Sequence, residues 1–391
     1  MIPTLRLPKQ NFVVPQSEPT ASNTVSAASL FEQALTAPFD FPALADFLYE
    51  GDHVAFVLVG DLQAKSDSVD ALLHYLLNHA AGCRIDIVSA EALEVAEETR
   101  NDWIERLKQK DIELGFCQHD PGDIQQMAYI AASYSGEPIY INRNVFEADT
   151  VIPVFGAGNA DPSGRPAVYP EFSNTATIER HNNSSDVDAD QQRGETRMAH
   201  EFIGICFVIE VDSGLGGQVA GVQAGEFSRV ATTKESGSDE TQAKSQWQIE
   251  RCADAKVVVA TIESPETGQT WDHFFRALAA SAAVSENVQQ IVICCSIDSE
   301  PSDVFRQLLQ IPFESDFQVI DNILQNAPDF CRAVPGIFEE STVYLKSGLD
   351  ESTVEELGLG FIACDSEIQR IIDNAESGIY LREAHHCKIS D

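Results

Sequence analysis

The chain has 391 residues, 43% of them hydrophobic, and carries 62 acidic against 25 basic side chains for a formal net charge of −37. That much apolar material fills large cores, and the length favours two domains. The charge repels phosphate backbones and anionic lipid, which excludes nucleic acid and membrane surfaces as partners.

No apolar run reaches the ~18 residues of a membrane span. The N-terminal MIPTLRLPKQNFVVPQ has no h-region or small-residue cleavage site, so the expectation is an untargeted, cytoplasmic protein. The nine cysteines are scattered without a CxxC pair, and Cys206, Cys294 and Cys295 sit in apolar runs. They read as buried reduced thiols rather than a disulfide framework. Cys117, two residues before His119, reads as a core thiol or a nucleophile.

In chain order, residues 1–30 read as a polar extended arm. HVAFVLV is a buried strand, SDSVDALLHYLLNHAAG a helix, RIDIVSA a strand, and EALEVAEETRNDWIERLKQK a charged amphipathic helix. IELGFCQHD is a strand, GDIQQMAYIAASYSG a helix, and PIYINRNV and TVIPVFG are strands. The stretch 163–181, SGRPAVYPEFSNTATIERH, is too rich in Ser, Gly, Pro and Asn for a regular element and reads as a loop. Residues 182–197 are polar and read as a mobile segment. EFIGICFVIEVDSGLGGQVAGVQAGEF follows as two strands joined by a glycine-rich turn, and KESGSDETQAKSQ (234–246) as a linker.

Beyond the linker the alternation resumes. AKVVVATIES, QQIVICCSI, STVYLKS, GFIAC and GIYLRE are strands, with helices at TWDHFFRALAASAAVS, PSDVFRQLL, QVIDNILQN, DESTVEELG and DSEIQRIIDNAES. The pattern predicts two α/β domains with mainly parallel sheets, 1–240 and 241–391, and a ligand cleft between them.

In open α/β sheets, ligands bind at loops after strand C-termini. Three such loops qualify in the first domain. One begins with Asp61, either a hydroxyl- or cation-binding carboxylate or a helix cap. One carries His119–Asp120, either an oriented imidazole or a turn-and-cap pair. The third holds Arg165 and His181, and an imidazole there suits nickel, zinc or iron unless it is a surface histidine. In the second domain His273 and Arg276 stand at i and i+3 on one helix, where they form a carboxylate clamp or an ordinary polar face.

These loops resemble the nickel-dependent lactate racemase (LarA-like) family. The resemblance is carried by FDFPALADFLYEGDHVAFVL, by HDPGDIQQMAYIAASYSGEPIYINRNVFEADTVIPV and by YPEFSNTATIERH, and continues in AKVVVATIES, FFRALAASAAV and YLKSGLDESTVEELGL. It implies a nickel pincer nucleotide cofactor that takes a hydride from the α-carbon of a 2-hydroxy acid and returns it to either face. On that correspondence His181 is the nickel ligand and Asp61 the cofactor-binding carboxylate. Arg165 stands where the family has its anchoring lysine, and a guanidinium does not readily form a lysine-type covalent link. The family's two base histidines have no counterparts, which leaves His119 or His273 as substitute catalytic bases and Arg276 as the substrate-binding cation. Two functions therefore stand open. One is a 2-hydroxyacid racemase or epimerase, an isomerase with altered cofactor attachment. The other is a catalytically degenerate relative that binds a small carboxylate or nucleotide anion without turnover.

Overall fold

A computed structural model describes residues 5–7, 12–15, 25–60, 62, 64–90, 92–93, 95–133, 136–156, 168–182, 189–214, 218–226, 247–252, 255–263, 269–311, 320, 323–324, 331 and 333–390. In chain order the strands are β1 (Phe12–Val13), β2 (His53–Val59), β3 (Arg84–Ser89), β4 (Glu113–Gln118), β5 (Met127–Ala132), β6 (Pro138–Asn142), β7 (Thr150–Gly156), β8 (Phe207–Ser213) and β9 (Val219–Glu226). They continue as β10 (Gln248–Glu250), β11 (Val257–Thr261), β12 (Gln290–Cys294), β13 (Thr342–Lys346), β14 (Gly360–Phe361), β15 (Gly378–Leu381) and β16 (Lys388–Ser390). The protein is α/β with mainly parallel sheets. It divides into two compact units, Thr20–Thr241 and Met1–Pro19 with Gln242–Asp391.

The sheet of the first of these units has the order β4-β3-β2-β7-β8-β9, parallel up to β8 with β9 antiparallel at the edge. Its central strand shows why the apolar run reads without polar alternation. Val54, Phe56 and Leu58 enter one hydrophobic cluster, while Ala55, Val57 and Val59 enter another. Successive side chains of a strand point to opposite faces, so both faces of this sheet are covered. The chain runs outward from β2 through β3 to β4, then returns to place β7 on the other side of β2. The reversal creates a topological switch point at the C-terminal ends of β2 and β7.

The sheet of the other unit is parallel throughout, in the order β1-β15-β11-β12-β13-β14, with its own reversal between β11 and β15. Val258 and Ala260 of β11 face one cluster, and Val257 and Val259 the other. The sequence expectation that residues 1–240 form one domain is corrected at its start. Phe12 and Val13 pair with Gly378 and Ile379, so the arm completes the second sheet. A Cβ on Gly378 would stand 2.3 Å from Phe12 Cζ. Glycine there is what lets the Phe12 ring close on the strand.

Three local expectations also change. GDIQQMAYIAASYSG is a 3-10 turn (Ile124–Gln126) followed by β5, which pairs antiparallel with β6 across a bulge at Tyr129/Ala131. The Ser133 hydroxyl accepts from the Glu137 amide at 3.0 Å and helps close the hairpin. The second correction concerns residues 189–197, read as mobile. They open a helix, Ala189–Ile203, which buries Glu195, Thr196, Ala199, His200 and Ile203 at helical spacing. Gly204, at φ +75°, ends it before β8 begins. The third lies within 163–181. Thr175–Asn182 is helical, started by Asn174, whose Oδ1 and carbonyl accept from the Thr177 amide, while the preceding Val168–Glu171 is broken by an extended Tyr169 (φ −112°, ψ 128°).

Candidate functional site

The segment Val168–Asn182 is fastened to the strand ends of its unit. The amide of Gly60, which follows β2, donates to both carboxylate oxygens of Glu171 at 2.9 and 3.1 Å. The Asn142 amide donates to the Phe172 carbonyl at 2.8 Å, and the Thr175 amide to the Pro121 carbonyl at 3.0 Å. Three stretches far apart in sequence (the end of β2, the His119–Asn142 region and 168–182) thus meet near the switch point.

His119 is the clasp between two of them. It follows β4, is 4% exposed, and uses both ring nitrogens. Nε2 donates to the Ser173 carbonyl at 2.9 Å, while Nδ1 accepts from the Asn142 side-chain amide at 3.1 Å. That places its single proton on Nε2. Burial pushes its pKa down, against smaller opposing effects from Ser173 and Asp120, so the ring is neutral near pH 7. Asp120 accepts from the Gly122 amide at 2.9 Å in a local turn, the turn reading of the HD pair. The Cys117 thiol is pushed up, mainly by burial, which makes it a weak nucleophile.

His181 lies on the helix Thr175–Asn182, edge-on to the buried Tyr169 ring at 5.1 Å between centroids. Burial lowers its pKa and Arg180 adds to that, with Glu195 opposing. A neutral imidazole is the ligating form. On the helix Ala189–Ile203, Glu195 accepts from both the Tyr169 hydroxyl and the Arg180 guanidinium. This Tyr169–Glu195–Arg180 group ties the His181 helix to the helix Ala189–Ile203. Burial and the Glu195 carboxylate push the Tyr169 hydroxyl far up, so it stays protonated. The sequence reading missed all three residues because Tyr169 and Arg180 fall in a stretch read as a loop and Glu195 in one read as mobile. Lys65, 5% exposed at the start of the helix Lys65–His79, was also passed over.

Asp61 and Arg165, expected to bind the cofactor, lie outside the described residues. In the other unit His273 is 7% exposed and belongs to a capping box: its Nδ1 accepts from the Thr270 amide at 3.0 Å at the start of the helix Trp271–Ala283. The same logic as for His119 puts its proton on Nε2. Arg276 on that helix is exposed, and its charge lowers the Asp272 carboxyl against a larger upward push from burial. His273 and Arg276 therefore do not present one polar face: the first points into packing and the second remains at the surface.

Two α/β units with mainly parallel sheets, one with a buried neutral histidine after its edge strand β4, define the class. Within that class, residues 3–183 match the model of the lactate racemase N-terminal domain family. No curated protein matches the chain. Among solved structures, the lactate racemase apoprotein from Thermoanaerobacterium thermosaccharolyticum is similar, with a TM-score of 0.66 and 16% identity over 99% of this chain and 97% of that one. A protein from Thermotoga maritima is similar at a TM-score of 0.59 and 15% identity, over 96% of this chain and 100% of that one. At these identities the two structures establish a shared fold.

The family's nickel group can be tested against the residues present. His181 fits it: a neutral, half-buried imidazole on a braced helix is a suitable nickel donor.

Proposed function

We propose that this lactate-racemase-like protein binds a small 2-hydroxy acid, or a similar small carboxylate, beside a nickel-type group liganded by His181, and that it turns lactate over slowly or not at all. The observation that carries the reading is the state of His119. Its Nε2 proton goes to the Ser173 carbonyl and its Nδ1 lone pair takes the Asn142 amide. A general base needs a lone pair within reach of the substrate proton, and His119 offers none without breaking a buried hydrogen bond. His273 is committed in the same way to its helix cap. The histidines available as substitutes for the family's bases are thus held by the scaffold.

When bound, the nickel group would supply the hydride acceptor. The chain's own residues hold and orient. His181 provides a neutral donor, and the Tyr169–Glu195–Arg180 group fixes its helix. Asp61 takes a hydroxyl of the group. Arg165 grips a carboxylate or phosphate in a reversible bidentate contact. Arg276 is the corresponding anion-binding cation of the second unit. If another 2-hydroxy acid is racemised or epimerised, its proton is moved by a group other than His119. The reading as a binding protein without turnover rests on the same two engaged histidines. Nine free cysteines support a reducing, cytoplasmic setting, and no helix among the described residues is long and apolar enough to cross a membrane.

The test is conversion of D- to L-lactate by the full chain co-expressed with cofactor-making enzymes, together with its intact mass. Turnover on the order of 1–10³ per second would overturn the proposal, as would a cofactor-sized covalent adduct. The expected result is an unmodified chain with negligible conversion. Arg165→Ala should weaken carboxylate binding and leave the fold intact.

A further inference from the structure

The second sheet has its own switch point, between β11 and β15, and both loops that leave it carry acidic or imidazole groups. After β11 comes Glu263, whose carboxylate accepts from the Thr261 hydroxyl at 2.8 Å and pairs with Arg382 at 3.1 Å. After β15 comes the run Arg382-Glu383-Ala384-His385-His386, folded as a 3-10 turn over its last three residues. Glu383 is 1% exposed and His385 6%. The Glu383 carboxylate accepts from the Glu263 amide at 3.0 Å. One ligand atom from each of Glu383, His385 and His386 lies within 4.8 Å of the others. His385 Nδ1 is already 3.8 Å from Glu383 Oε2, close to the ~3.4 Å edge of a tetrahedral site built with bonds of about 2.0–2.2 Å.

We propose that Glu383, His385 and His386 form a binding site for one borderline divalent cation of the zinc class. The donor set selects the metal. Two imidazoles and one carboxylate favour zinc and its neighbours over calcium or magnesium, which take oxygen ligands. Three protein ligands leave a fourth position for water. His273, whose ring is 4.9 Å from that of His385, stands at the wall of the site rather than in it, because its Nδ1 lone pair is held by the Thr270 amide. The His385 ring lies 3.9 Å from that of His386, centroid to centroid, and Arg276 is the cation nearest to this group. The positive charge of Arg276 is offset by Asp272 on the same helix. Glu383 has a left-handed backbone at φ +46°. Such conformations cost energy in a non-glycine residue and gather at ligand clamps. The Glu263–Arg382 pair and the Glu263 amide hold Glu383 in place as outer partners.

The site is distinct in residues from His181 and does not rest on the proposed racemase-like function. The test uses the full chain stripped of metal with a chelator and titrated with zinc alone against a chromophoric competitor. The expected result is one tight zinc per chain. His386→Gln and Glu383→Gln should each weaken it at least tenfold, the lower end of what even outer partners contribute. His181→Ala and Cys387→Ser should leave it unchanged. Cobalt in place of zinc should give the intense visible bands of tetrahedral coordination without a thiolate charge-transfer band. No tight zinc, unchanged affinity in both ligand variants, or a thiolate band placing the ion on cysteine would each overturn the proposal. Should His386→Gln fail to fold by circular dichroism, Glu383→Gln and the cobalt spectrum of the wild-type chain decide.

Discussion

Replacing Glu195 with alanine tests how firmly the His181 helix is braced. The carboxylate is the shared acceptor of Tyr169 and Arg180, and its side chain is 9% exposed against 31% for Arg180. Breaking a fully buried ion pair costs about 3–5 kcal/mol, and a hydrogen bond to a charged group about 1.5–3 kcal/mol. Arg180 reaches water in part and can rehydrate, which discounts the first figure. Tyr169, 1% exposed, cannot. A loss of about 2–3 kcal/mol is expected. For a unit of this size each kcal/mol lowers Tm by about 2–4 °C, so the transition should fall by about 5–10 °C. Urea denaturation followed by circular dichroism measures the loss, and a double-mutant cycle with Arg180→Met isolates the pair. There is a second readout. Glu195 favours the charged form of His181, so its removal should move the His181 titration further down, as NMR of the ring protons would record. A loss under about 0.5 kcal/mol, the range of ordinary surface substitutions, or a cycle with no coupling, would refute the bracing argument.

Burial depresses the pKa of His119 below its ordinary value of about 6.5. The unfolded chain therefore takes up that proton first. The stability His119 contributes is complete above about pH 6.5 and is lost as pH falls towards its folded pKa, with a slope of at most ~1.4 kcal/mol per pH unit. The penalty of His119→Gln in urea should accordingly be larger near pH 7.5 than near pH 5.5, and a penalty that grows on acidification would contradict this assignment. Gly225→Ala should destabilise the first sheet by about 1–3 kcal/mol. Gly225 has φ +152°, and a Cβ would stand 2.3 Å from the Phe39 carbonyl oxygen, against backbone rather than a movable side chain. A thermal scan of that variant matching wild type would show that the Phe39 bridge yields easily.

What the sequence made legible follows from how local each signal is. HVAFVLV and AKVVVATIES could be read as parallel strands because burial on both faces removes the polar alternation, and the structure puts their alternate residues into separate clusters. GDIQQMAYIAASYSG misled because a short apolar run fits helix or strand, and the choice was made by pairing with β6 across the hairpin. Phe12–Val13 was misassigned for the same reason: two residues carry no periodicity, and their place depends on Gly378, more than 360 positions away. At the site, residue types could be nominated but not their commitments. His119 reads as an oriented imidazole, and it is one, yet the groups that orient it, Asn142 and the Ser173 carbonyl, consume the lone pair and proton a base would need. Glu383, His385 and His386 were passed over because Glu-x-His-His at a chain's end matches no common metal spacing. The 3-10 turn after β15 gathers the three donors, and the Glu263 amide at the end of β11 holds the Glu383 carboxylate. A histidine's chemistry is thus set by the atom each nitrogen meets, and for His119 those atoms come from segments that linear spacing does not connect.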